Sequence, residues 1–114
     1  MKPTRYFSNR QEKKVAKRVG GKQVSNSGAT AFNKGDVVTD DWLIECKTCT
    51  SPKSSMSVKK DWLEKNKEEA FAMRRNYSAV AIDFGSSDTY YIIDEKTFLN
   101  LLKMSENENN GILE

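Results

Sequence analysis

KGDVVTDDWLIECK, residues 34–47, is the stretch on which the fold turns. Val37, Val38, Leu43 and Ile44 supply the apolar steps of two short strands, and Thr39-Asp40-Asp41-Trp42 lies between them as a turn. Asp36, Glu45 and Lys47 interrupt the apolar pattern near one end of the pair. A turn centred between Asp40 and Asp41 sets Thr39 opposite Trp42, Val38 opposite Leu43, Val37 opposite Ile44, and Asp36 opposite Glu45. A loop of two or four residues gives this same register, whereas an odd loop does not. Opposed residues carry Cβ atoms about 4.5–5.5 Å apart on one side of a sheet. Lys47, two residues beyond Glu45, points to that side as well. The hairpin therefore gathers two carboxylates and an ammonium at one spot, and the acids repel unless something positive reconciles them. A surface ion-pair cluster is the plain alternative; it is disfavoured because Val38 and Leu43 share that face and read as buried.

Around the hairpin the elements follow from spacing and punctuation. NRQEKKVAKRV (9–19) is predicted to be a helix, opened by Asn9 with Glu12 three residues on and closed by Gly20-Gly21. Lys22–Ser25 reads as a short strand and NSGATAFNKG as a loop. The strands of the hairpin span about 35–39 and 42–48. After the loop TSPKSSMS, a long helix is predicted over 58–75, with Ser57 as N-cap and Val58, Trp62, Leu63, Ala70 and Met73 as its apolar stripe. YSAVAIDFG (77–85) reads as a buried strand, TYYIID (89–94) as another, and EKTFLNLLK (95–103) as a final helix. The result is one domain over 1–104 with a polar, flexible tail at 105–114. Its class is α/β: a central mixed sheet flanked by helices in the order α-β-β-β-α-β-β-α.

Charge divides the chain. Residues 1–35 hold nine Lys or Arg against the single acid Glu12, while residues 36–114 hold ten basic and fifteen acidic side chains. A basic third of this kind is the footprint of a phosphate-binding face, or simply of a solvated helix. The candidate phosphate contacts are Arg10, Lys13, Lys14, Lys17, Arg18, Lys22 and Lys34, with Lys59 and Lys60 at the start of the long helix. Cys46 and Cys49 form a lone CxxC; with no His and no further Cys, four zinc ligands are not available. Cys46 falls inside a strand pattern and reads as a small core residue. Without His, any catalysis rests on carboxylates, Lys, hydroxyls or a bound hard cation. No apolar run approaches the roughly 18 residues of a membrane span, and MKPTRYFSNRQEKK lacks the apolar core of a signal peptide. A cytoplasmic protein with no membrane partner is the expectation.

Oxygen ligands at the hairpin spacing suit Mg²⁺, which keeps several waters and takes one or two carboxylates. Asp36, eight residues, then Glu45-Cys46-Lys47 resembles the D-x(n)-E-x-K core of the PD-(D/E)xK nuclease superfamily, with a long helix following it. The approach SGATAFNKGD is most similar to the Holliday junction resolvases of archaeal type and their phage relatives, although Gly35 stands where that family has Pro. The resemblance covers roughly residues 8–93. It implies a restriction-endonuclease-like core and a Mg²⁺-dependent endonuclease, with Mn²⁺ able to substitute, that hydrolyses branched or duplex DNA to a 5′-phosphate and a 3′-hydroxyl. It further implies a role in recombination or repair, in the host cytoplasm if phage-encoded, and a homodimer, since a four-way junction needs two matched cuts. Asp36 and Glu45 would ligate the metal with Glu12 assisting, and Lys47 would activate water or stabilise the transition state. Ser27 would place a hydroxyl near the scissile phosphate. A helix cap is the plain alternative for Glu12, Ser27 equally fits turn chemistry, and Asp83 reads best as a sheet-end or edge residue. Two rivals stay open: a restriction-like, nicking or repair nuclease on the same core, and a non-catalytic DNA-binding module held by the basic third.

Overall fold

A computed structural model describes the backbone of residues 4–24 and 36–113. The elements are α1 (Thr4–Val19), β1 (Lys22–Gln23), β2 (Asp36–Val38), β3 (Trp42–Thr48), α2 (Lys60–Ala72), β4 (Tyr77–Asp83), β5 (Tyr90–Ile92) and α3 (Glu95–Leu113). They make an α/β fold with one five-stranded mixed sheet in the order β1-β2-β3-β4-β5. Only β3 and β4 run parallel, with α2 as the crossover between them. The β2–β3 pairing is the one read from the sequence: Asp36 opposite Glu45, Val37 opposite Ile44, Val38 opposite Leu43. Thr39 locks that turn, its Oγ1 accepting from the amides of Asp41 and Trp42 at 3.3 and 3.0 Å.

Alternation along β3 and β4 divides the sheet into two faces. Val37, Ile44, Ala79 and Ala81 pack against Val15 and Ala16 of α1, with Val19, Trp42, Cys46 and Ile93 closing the cluster. Cys46 is thus the small core residue expected, and burial pushes its thiol well above the ordinary range. On the opposite face Leu43 and Val80 are fully buried on the α2 side, where Asn66 donates to the Leu43 carbonyl at 3.4 Å.

Three boundaries differ from expectation. α1 begins at Thr4, not at Asn9, so Asn9 and Glu12 lie inside the helix and are not its cap. Asn9 Oδ1 instead accepts from Gln23 Nε2 at 3.2 Å. α2 starts at Lys60 after Lys59, whose side chain makes no cap bond; Ser57 is not the N-cap, and Val58 lies exposed ahead of the helix. α3 runs on through the polar residues expected as a loose tail, because SENENN contains neither Pro nor Gly. Asp94 opens α3, accepting from the Thr97 amide at 2.9 Å, and Lys67 of α2 anchors it by a 2.7 Å ion pair. α2 closes through Arg74, held at φ 58°, with the Arg75 amide bonded to the Ala70 carbonyl at 2.8 Å. Among the described residues no helix is long and apolar enough to cross a membrane.

Candidate functional site

β2 and β3 position the acids through a ladder that allows one register only, since a one-residue slip would turn Val37 and Ile44 out of the core. Asp36 sits at the first residue of β2 and is 1% exposed, directly across from half-buried Glu45. Lys47 follows on the same face, its Nζ 4.8 Å from the centre of the Trp62 ring of α2. The cation lies over the indole, an attraction that fixes the amine beside Glu45.

The electrostatics of this corner are those of acids short of a counter-charge. Burial, then the charges of Glu69 and Glu45, push the Asp36 carboxyl up to about 8. Glu45 is also raised by burial, with Lys47 pulling the other way. Glu69 of α2 is raised by burial and opposed by its hydrogen bond to Asp36. Two carboxyls bond only through a shared proton, and Asp36, the more elevated of the two, holds it. Neither Asp36 oxygen has any other partner among the described residues, and Glu45 Oε2 is buried and unpartnered as well.

A buried carboxylate without donors is costly; the proton on Asp36 removes that cost, and a hard cation could take its place. Among the described residues no three His, Cys, Asp or Glu side chains are gathered as a metal cage. What the hairpin presents is a pair, Asp36 and Glu45, which is the number Mg²⁺ commonly takes from protein while keeping its waters. The pair fits such an ion on its chemistry and on its orphaned oxygens.

Glu12 comes to this corner from the α1 side of the sheet. It is 3% exposed; Oε1 accepts from Gln23 Nε2 at 3.4 Å, and Oε2 is buried and unpartnered. Among the charges that raise Asp36 it contributes the least, behind Glu69 and Glu45. Its place inside α1 excludes helix capping for Glu12, and the acid whose charge acts most strongly on Asp36 is Glu69, which the sequence reading missed. A signal for it exists: Glu69 falls three residues after buried Asn66 and seven after Trp62, on the inward stripe of α2. Ser27 and Lys34 lie outside the described residues. Asp83 is structural, accepting from Thr48 Oγ1 at 2.6 Å and from the Gly85 amide at 2.9 Å.

The basic residues of α1 are spread around its outer surface, with Arg10, Lys13, Lys17 and Arg18 exposed and Lys14 donating to the Ser87 carbonyl. Arg10, Lys14 and Arg18 line an open cleft of about 480 Å³ at the carboxyl ends of β3 and β4, facing Thr48, Ser51 and Ser87. Lys22, Lys59 and Lys60 are exposed and apart from it, and Lys60 pairs with Glu64 at 3.5 Å. Carboxyl ends of parallel strands are where open α/β sheets bind ligands. Gly85 closes the cleft at φ 82°; a Cβ there would stand 2.5 Å from the Ser51 carbonyl oxygen.

The geometry defines an α/β domain with an acidic pair and a lysine on one sheet face and a basic cleft at the strand ends. Compared with known proteins, the chain matches no family model, no curated protein and no solved structure.

Proposed function

We propose that this chain is a Mg²⁺-dependent DNA endonuclease on a restriction-endonuclease-like core, selective for branched DNA in the manner of a Holliday junction resolvase. One observation carries the reading: Asp36 faces Glu45 across the hairpin with no donor to either of its buried oxygens among the described residues, and Lys47 lies next along the same face. Asp36 and Glu45 would hold the ion, which would supply Lewis acidity toward a phosphoryl oxygen. Lys47, set against Trp62, stabilises the charge that develops on the phosphate as the P–O3′ bond breaks. Burial, with Glu69 and Glu45 beside it, favours the protonated form of Asp36, and holding a cation would require that proton to leave. Arg10, Lys14 and Arg18 draw the DNA backbone toward the strand ends.

Incubation of labelled four-way junction, duplex and single-stranded DNA with the folded protein and Mg²⁺ tests this. The expected result is metal-dependent cutting strongest on the junction and lost in Glu45→Ala. Cutting spread across duplex DNA would shift the reading to a restriction-like or repair nuclease. Salt-sensitive binding without hydrolysis, unchanged when Asp36 is neutralised, would leave only a DNA-binding module.

A further inference from the structure

The cleft at the carboxyl ends of β3 and β4 is preformed, its walls tied together by hydrogen bonds. Gln11 of α1 donates to the Lys47 and Ala81 carbonyls, and Lys14 donates to the Ser87 carbonyl beyond β4. The Lys53 amide donates to the Phe84 carbonyl at 2.8 Å, joining the loops that follow the two strands. Arg10, Lys14 and Arg18 form one wall, spaced four residues apart and therefore on one side of α1. Ser51, Ser86 and Ser87 line the other and bring hydroxyl donors. Three cations stand there against one acid, Asp83, whose Oδ1 already accepts from Thr48 and from the Gly85 amide. Among the described residues neither Arg10 nor Arg18 has a carboxylate partner. The Lys14 ammonium keeps two donors beyond the one directed at Ser87.

We propose that this cleft is a binding site for a phosphate monoester, the terminal phosphate of a nucleotide. Charge favours that ligand over the interior of a strand. The cleft has two positive charges in excess; a monoester carries about −1.5 to −2 at neutral pH, whereas a phosphate within a strand carries a single charge. Size agrees, since about 480 Å³ falls inside the roughly 300–1,000 Å³ of small-ligand sites. Phe7, half-buried one turn ahead of Arg10, gives the cleft an apolar end for a base or sugar. The monoester is carried either by a free nucleotide or by the phosphorylated end of a strand, and the proposed cleavage would itself produce such an end. The site lies past Lys47 on β3 and does not depend on the acidic pair.

Fluorescence anisotropy in EDTA, where no metal-dependent cutting occurs, tests the site separately from nuclease activity. A labelled single strand with a 5′-phosphate should bind about tenfold more tightly than the same strand with a 5′-hydroxyl. Arg10→Gln with Arg18→Gln should abolish that difference. Lys96→Gln with Lys103→Gln, which removes equal charge from exposed positions of α3, should preserve it, with circular dichroism showing both variants folded. Calorimetry with a deoxynucleoside 5′-monophosphate should show binding that the unphosphorylated deoxynucleoside lacks and that the arginine variant loses. An affinity equal to that of the phosphorylated strand identifies the free nucleotide as the ligand; a far weaker one identifies the strand end. Equal binding of the two strands, no binding of the monophosphate, or a preference that survives the double arginine change overturns the proposal.

Discussion

The two faces of β3 are built on opposite principles one residue apart. Ile44 points into the apolar cluster under α1, with Val15, Ala16, Val37, Ala79 and Ala81. Glu45 points to the α2 side, where Asp36 and Glu69 crowd it and buried oxygens lack partners. The first face holds the fold together; the second is loaded against it. The contrast teaches that stability here is concentrated on one side of the sheet so that the other can carry repulsion.

The sharpest way to break the contrast is to truncate the two neighbours separately. Glu45→Ala should lower DNA cleavage on the order of 10³-fold while leaving the thermal midpoint equal to or above that of the parent. Ile44→Ala should do the reverse, costing about 3 kcal/mol of stability in denaturant unfolding with cleavage by the remaining folded protein little changed. Equal loss of stability in both variants would mean the faces are not distinct.

A second experiment sharpens it through pH. Asp36 titrates near 3.8 in an unstructured chain and near 8 in the fold, so the folded state binds the extra proton between these values. Stability therefore falls as pH rises from about 4 through about 8, the cost being absent below that window and complete above it. Asp36→Asn should flatten the slope of melting temperature against pH over this range. Mg²⁺ should raise the midpoint of the parent at pH 8 but not that of Asp36→Asn, since only the parent offers the charge that the ion neutralises. The smallest expected effect lies away from both faces. Arg74→Gly, at the left-handed residue closing α2, should stabilise by about 0.5–1 kcal/mol without altering cleavage, as read from parallel melts and assays.

The hairpin was legible because register is arithmetic: once the turn was centred, the partners of Val37 and Asp36 followed, and the apolar steps confirmed which side faced inward. The order of elements was legible from Gly-rich breaks and periodicity. Glu69 was not, because the angle at which α2 lies on the sheet decides which of its charged residues turns inward, and Glu68-Glu69 reads locally as a solvated pair. The cap alternative for Glu12 came from a related source: a helix start placed at Asn9 made an acid three residues on look like a cap. Extending α1 to Thr4 buries that acid in mid-helix. The length of α3 was underestimated because polar composition was taken for disorder, although SENENN itself contains no helix breaker.

One side chain ties these regions into a single rigid gauge. The Gln11 amide donates to the carbonyls of Lys47 and Ala81, at 2.8 and 3.3 Å, spanning the two parallel strands at once. Arg10 sits next to it on α1, and the acidic corner begins two residues back along β3. On the proposed function, a DNA backbone lodged among the arginines would be measured off against the acids at a set interval, as by calipers whose jaws have been pinned and not by an arm free to swing.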